Sequence, residues 1–557
     1  MTTARAQAAS APGAQVPGRR SPAVPAAGPP SGLAAGRRPS LVLAVCCSSI
    51  FLVGLDGTAV AAALPSVGQD MRVPVSGLQW TADVYLLVLA STQMAAGTVA
   101  DRFGRRRVFR TGLGLFAAGS LLCGLAPGLG WLLAARAVQA CGGSMLNPAA
   151  MSILTTTFTG RAERARAVSI WHCVFGIAMA CGPLLGGLMV AAAGWQGIFW
   201  MNIPVALAAG ALVGRLVPES RAARPRRPDL TGQTLIIIML GALTYAIIEG
   251  PAAGWSSPRI TGLFAVSAAA LAALIAWEPR RAEPMIDLRL FRSVQFSGAV
   301  AAAIGTFALL GGFLFLTALY LQNARGLSPV AAGLHVAPMA AAVALTAPLA
   351  GRLVARRRTR AAMLIAGSAL TMSCAALTVA GGAPPGWYLA GAYALFGVGI
   401  GAANEPVTYA AVTGLPPAQA GLAGGLNSSS RMVGQVLGVA IAGPVLMAHL
   451  HGPMRTGFGP AACMAWCVLT CTGYAVLLAG ILATGSWAAA TAARAAALFG
   501  PAPPAAAGAA ADLPAAAWPR ARATGRIPPP GRHAAPGPSW RRPAPHTCHP
   551  PAHGGIP

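Results

Sequence analysis

The chain has 557 residues, 55% of them hydrophobic and only 10% charged, with a mean hydropathy of +0.62. A soluble globular protein carries about 25% charged residues, so this composition excludes that class and indicates a polytopic membrane protein. All 40 basic residues are Arg, which gives a net charge of +27. They cluster in short stretches between apolar runs, a pattern of membrane topology and attraction to anionic lipid, and no nucleic-acid-binding module is visible.

Residues 1–40 are Ala/Pro/Gly/Arg-rich and read as a disordered tail rather than a signal peptide, because no clear small-residue cleavage site follows. A spanning helix needs about 20 mostly apolar residues, and fourteen such spans follow, at about 41–64, 79–99, 108–126, 130–157, 167–191, 197–217, 232–249, 260–277, 296–321, 330–353, 361–380, 387–412, 431–449 and 462–484. Residues 485–557 are again Ala/Pro/Arg-rich and read as a floppy tail. Most Cys residues lie inside the spans, where a thiol packs as a small hydrophobe; Cys463, Cys467 and Cys471 share one helix face but have no His or acid at ligand spacing. No metal or other cofactor is expected.

The connections alternate. Even-numbered loops carry Arg102 to Arg110, Arg161 to Arg166, Arg221 to Arg227, Arg280 to Arg292 and Arg356 to Arg360; odd-numbered loops carry almost none. Arg excess marks the cytoplasmic side, so both termini are expected inside. The twelfth loop is the exception, with little charge before Arg431. Gly97-Thr-Val-Ala-Asp101-Arg102 after span 2 is echoed by Gly351-Arg-Leu-Val-Ala355-Arg356 after span 10. The echo pairs two six-helix halves, 41–217 and 293–484, around an inserted pair of helices in 218–292.

Ionisable groups within spans are costly and are functional candidates by default. Asp56 lies roughly nine residues before the end of span 1, about 13 Å deep at 1.5 Å per residue. It is a candidate to take a proton from one side and release it to the other; the plain alternative is a permanently paired carboxylate. Arg136 in span 4 has a similar depth and is its natural counter-charge. Asp83 follows Trp80 near the outer end of span 2 and is expected at the outer vestibule. Glu405, beside Pro406 in span 12, is a substrate or proton candidate. His172 and His335 read as isolated. Between spans 2 and 3, Asp101 to Arg107 places five charges in seven residues, expected in a short surface loop. In span 5, Gly182-Pro183-x-x-Gly186-Gly187 places small residues for close helix contact.

These motifs resemble the fourteen-helix drug:H+ antiporter family of the major facilitator superfamily, over roughly residues 41–484. Leu55-Asp56-x-Thr58-x-Val60-x-x-Ala63-Leu64-Pro65 is similar to the family's helix 1 motif, departing at Ala61. Gly97, Asp101, Arg102, Gly104, Arg105, Arg106 and Arg107 resemble its helix 2–3 motif, a latch in which Asp101 would meet Arg and a helix end and stabilise one access state. Arg136-Ala-Val-Gln139-Ala140-x-Gly142-Gly143 resembles the helix 4 motif, departing at Ala140. Gly182, Pro183, Gly186 and Gly187 resemble the helix 5 antiporter motif. Gly194-Trp195 through Phe199, Asn202 and Pro204 resemble the start of helix 6, departing at Gln196 and Gly197. Tyr320-Leu-Gln322 with Gly326-x-Ser328-Pro329 resembles the helix 9–10 junction.

The resemblance implies an all-α major facilitator fold in the plasma membrane. It implies proton-coupled export of drugs, antibiotics or hydrophobic metabolites by alternating access, with no enzymatic step. The competing readings are an importer of a small solute, a sensor that lost transport, and a membrane enzyme. The helix 5 motif disfavours the first, and the last lacks a polar catalytic cluster or sizeable extramembrane domain. No Walker loop suggests ATP drive.

Overall fold

The structure, a computed structural model, describes residues 39–221, 228–281, 284–380, 384–413 and 417–485. The expectations of disordered tails fall on residues up to 38 and beyond 485, outside the described residues. Among the described residues all regular structure is helical, the arrangement that satisfies every backbone group where the solvent offers no hydrogen bonds.

The helices are α1 (Pro39–Met71), α2 (Val75–Phe103), α3 (Arg105–Gly124), α4 (Leu129–Thr157), α5 (Arg161–Ala193), a short α6 (Gly197–Trp200) continued after a break by α7 (Asn202–Leu216), α8 (Leu230–Ala253), α9 (Pro258–Trp277), α10 (Val294–Leu319), α11 (Pro329–Ala355), α12 (Thr359–Val379), α13 (Gly386–Val412), α14 (Pro417–His449) and α15 (Met454–Thr484). With α6 and α7 counted as one broken helix, these are the fourteen expected spans. Twelve are long and apolar enough to cross a membrane by length and composition. The other two are α3, which opens on three Arg, and α4, which carries Arg136 and Gln139.

The connections separate two faces. The Arg105 amide donates to Ser220 O, joining the α2–α3 connection to the segment after α7 on the Arg-rich face. On the opposite face Trp195 Nε1 donates to Asp70 Oδ2 at 2.8 Å and Arg325 donates to Pro384 O at 3.2 Å. Helix α1 packs on α5, α3 on α4 and α7, and α2 on α4; α10 packs on α14 and α15, α11 on α13, and α12 on α13 and α15. Helices α2 with α14, and α5 with α11, join the first six spans to the last six. The pair α8 and α9 attaches through α8 to α2 and α14, leaving α9 with exposed apolar residues such as Val266, Leu271 and Ile275.

Small residues set the close approaches that bring the site together. A Cβ on Gly119 would strike the backbone of Gln139, and one on Gly142 the backbone of Phe116, so α3 and α4 meet backbone to backbone. Across α10, α13 and α15, Phe313 stacks on Phe396 at 3.9 Å and meets Tyr393 and Trp466 edge-on, a geometry favoured by ring quadrupoles.

Two expectations change. The charged run at 97–107 is not a loop: α2 continues to Phe103, α3 begins at Arg105, and Gly104 alone connects them. Its φ of +112° suits glycine, since any Cβ is strained there. Span 13 begins not at 431 but at Pro417. The polar run Asn427 to Arg431 lowers the apolar signal, but it is buried inside the protein rather than set in a loop.

Candidate functional site

Asp56 and Arg136 are brought together. Arg136 NH1 donates to Asp56 Oδ2 at 2.5 Å, with both side chains almost fully buried, 0% and 1% exposed. Asp56 Oδ1 accepts from Gln139 Nε2 at 2.9 Å and from Asn202 Nδ2 at 3.0 Å. Gln139 also accepts from Arg136 at 2.8 Å and donates to Ser120 Oγ at 2.9 Å. Arg136 Nε reaches Thr81 O at 3.3 Å, and its guanidinium lies over the rings of Tyr85 at 4.3 Å and Phe199 at 5.6 Å. The carboxylate is thus held in a cage of three donors from α4 and α7, and the cation is bedded on two aromatic faces. Breaking one partner from such a buried pair is costly, because the remaining charge is left without compensation.

The cage opens on one side. Arg136 lines a narrow cavity of about 20 Å³, walled by residues such as Gly57 and Ala61 of α1, Leu86 of α2, Phe315 of α10 and Gln435 of α14. A neighbouring, mostly apolar cavity of similar size is lined by Ala61, Pro183, Gln322 and Gly333. Both lie where the first six spans face the last six, and apolar walls with a few placed polar groups are typical of small-molecule sites.

The segment identified as a latch is tied down within the first six spans. Arg105 pairs with Asp101 at 3.2 Å, one helical turn away. The Arg106 amide donates to Glu219 Oε1 at 3.1 Å, its guanidinium caps Gly214 O at 2.5 Å, and Arg107 lies 3.6 Å from Glu219. Arg102 is exposed beside Phe103, and a Cβ on Gly97 would make only ordinary contact with Pro148. Asp101 therefore meets an Arg of its own segment, and the anchoring partner is Glu219.

The small residues of α5 have two neighbours. A Cβ on Gly182 would strike Thr58, and one on Gly186 would come within 2.6 Å of Ala59 O, both on α1. A Cβ on Gly187 would strike Pro329 O, while Gly333 of α11 packs against Pro183 O. Three glutamine amides also join the first six spans to the last six: Gln79 donates to Val439 O at 2.8 Å, Gln322 to Ala62 O at 2.9 Å and Gln435 to Gly57 O at 3.2 Å.

The remaining candidates are not part of the cage. Asp83 does not line an open vestibule: it is fully buried in α2, and neither carboxyl oxygen has a hydrogen-bond partner. Trp80, three residues earlier, is half-buried and donates to Glu249 of α8 at 3.0 Å. Glu405 is half-buried in α13. His172 is half-buried in α5, where its Nδ1 meets Val168 O at 3.1 Å. Sequence reasoning passed over Ser120, Asn202 and Glu219 as site residues. Asn202 stood in a quoted motif, a usable signal, but its carboxylate partner is 146 positions away.

The chain matches the model of the Major Facilitator Superfamily over residues 46–439. It is 38% identical over 410 residues to the Multidrug resistance protein Stp of Mycobacterium tuberculosis, covering 73% of this chain and 75% of that one. It is 36% identical over 435 residues to the Tetracenomycin C resistance and export protein of Streptomyces glaucescens, covering 76% and 78%. Among solved structures, the peptide transporter POT in complex with sulfate aligns with a TM-score of 0.57 at 17% identity, covering 81% of this chain and 95% of that one. The fold, the family match and these relatives together establish that this multi-pass membrane protein belongs to the Major Facilitator Superfamily, among its drug-resistance transporters.

Proposed function

We propose that the protein exports drugs, antibiotics or hydrophobic metabolites across the plasma membrane in exchange for protons. The observation that carries this reading is the caged Asp56–Arg136 pair, whose cation lines the cavity between the first six spans and the last six. Protonating Asp56 removes the charge that holds Arg136, Gln139 and Asn202 together. Arg136 cannot lose its own proton, so it must find another acceptor, and the cavity wall rearranges. Substrate in the cavity and proton on Asp56 then compete for one conformation, which is the coupling an antiporter requires.

In this reading residues 41–217 and 293–484 are two six-helix halves that rock about the cavity, and 218–292 carries an inserted pair. The Arg-rich face is cytoplasmic and holds both termini. The contacts of α5 with α11, and the Gln79 and Gln322 amides, hold the first six spans to the last six on the side away from the Arg-rich face. Family membership favours transport over chemistry, and the names of the relatives favour export over uptake.

The test is transport in everted vesicles with an imposed proton gradient. Wild type is expected to accumulate lipophilic substrates from a broad panel and to dissipate the gradient when they are added. Asp56→Asn is expected to abolish the coupling at normal expression. Full proton-driven accumulation by that variant would remove Asp56 from the mechanism, and no coupling for any compound would remove antiport.

A further inference from the structure

A second polar cluster lies away from the cage. Arg431 of α14 is 7% exposed, yet no carboxylate lies within ion-pair distance of it among the described residues. Its guanidinium donates only to neutral acceptors of α13, Asn404 Oδ1 at 2.6 Å, Asn404 O at 3.2 Å and Thr408 Oγ1 at 2.5 Å, and it rests 5.3 Å from the Phe307 ring. Its Nε has no partner at all. One turn earlier, the buried Asn427 Oδ1 is also without a partner. Unpartnered buried polar atoms are rare in folded proteins and call for an explanation.

The surroundings suggest what fills the gap. Glu405 of α13 acts on Arg431 electrostatically without bonding to it, and His172 of α5 feels both charges. His172 holds Val168 O through Nδ1 at 3.1 Å, so its Nε2 remains for another partner. Helix α5 makes no extensive packing with α13 or α14. Asn427, Arg431 and Gln435 follow at four-residue spacing, hence along one face of α14. Gln435 already lines the cavity beside Arg136, so this stripe leads into that cavity from the Arg-rich side.

We propose that Arg431, with Asn427, Glu405 and His172 around it, is a subsite of the transport path that receives an acidic group of the exported molecule, a carboxylate or an ionised phenol or enol. The proposal rests on the export reading and narrows its substrate class. Arg431 Nε supplies a preorganised, charged donor for one oxygen of the anion. Glu405 is the counter-charge when the subsite is empty and the competitor when it is filled.

The experiment uses the purified full chain in detergent with three matched probes: anthracene-9-carboxylate, its methyl ester and anthracene-9-methylammonium. Energy transfer from tryptophan, with Trp171 beside His172, reads binding. The acid is expected to bind best. Arg431→Gln is expected to weaken the acid about tenfold, the scale of a lost charge-assisted hydrogen bond, and to leave the ester unchanged. Glu405→Gln is expected to tighten the acid relative to the ester, an effect opposite in sign to that of a merely structural loss. The proposal is overturned if acid and ester bind wild type alike, or if Arg431→Gln weakens both equally. Should Arg431→Gln not fold, Glu405→Gln alone decides, and unchanged or weaker acid binding overturns the subsite. Everted-vesicle export is scored separately: export of other compounds without acid binding sinks this subsite alone, whereas Arg431-dependent acid binding without export of anything sinks the export reading.

Discussion

Asp56 has three side-chain donors, Arg136, Gln139 and Asn202, and they differ in what else they hold. Gln139 bridges Asp56, Arg136 and Ser120, whereas Asn202 donates to Asp56 and has an unpartnered amide oxygen. The two should differ in consequence. Asn202→Ala is expected to lower proton-driven efflux about tenfold, the scale of one hydrogen bond to a charged group. Gln139→Ala should cost more, because it also releases Arg136 and Ser120. Initial efflux rates in vesicles at matched expression check this; wild-type rates in both variants would separate the cage from coupling. The pair itself was legible in the sequence, because depth in a span can be counted from its end. The rest of the cage was not, because Asn202, which donates to the carboxylate, and Ser120, which accepts from Gln139, are ordinary polar residues until folding brings them to it. Arg431 shows the converse error: counted as charge bordering a loop, it is a buried side chain of α14.

At the level of helices, the small residues of α5 do not contribute equally. Gly187 and Gly186 have backbone against them, whereas Gly176, two to three turns earlier on the same helix, has nothing within 4 Å. Gly187→Val should therefore force α5 from α11 and destabilise the folded protein by about 1–3 kcal/mol, the usual scale of overpacking. Gly176→Val should be close to neutral. Thermal unfolding in detergent distinguishes them, and equal midpoints would refute the assigned contact. The motif announced close packing from sequence alone, but not the partners. One side of α5 meets α1 and the other meets α11, a division that depends on helix rotation.

For the whole molecule, three amide hydrogen bonds to backbone carbonyls join the first six spans to the last six. No ion pair of the described residues crosses there. Such a join is modest, since a neutral hydrogen bond contributes about 0.5–1.5 kcal/mol. Gln79→Leu combined with Gln322→Leu should shift the population toward the outward-open state. The readout is a cysteine at Ala61, in a background with native cysteines replaced, labelled by a membrane-impermeant thiol reagent from outside. Labelling should rise over the parent, and unchanged labelling would mean the amides do not hold the join. The fourteen spans and their order were legible because apolar length and Arg alternation are local. The join was not, because its partners are about 260 to 380 positions apart.

The single residue between α2 and α3 has a further consequence. With Gly104 as the whole connection, and Glu219 holding the residues just after it, there is no slack in which to absorb a change of length. One inserted residue would turn α3 by about 100° about its axis relative to α2, since a helix makes a turn in 3.6 residues. Gly119 would swing away from Gln139, and the carboxylate cage would lose the backbone contact that positions it. The joint thus acts as a phase setting: a residue count at one surface fixes the angular alignment of the charge pair deep in the bilayer.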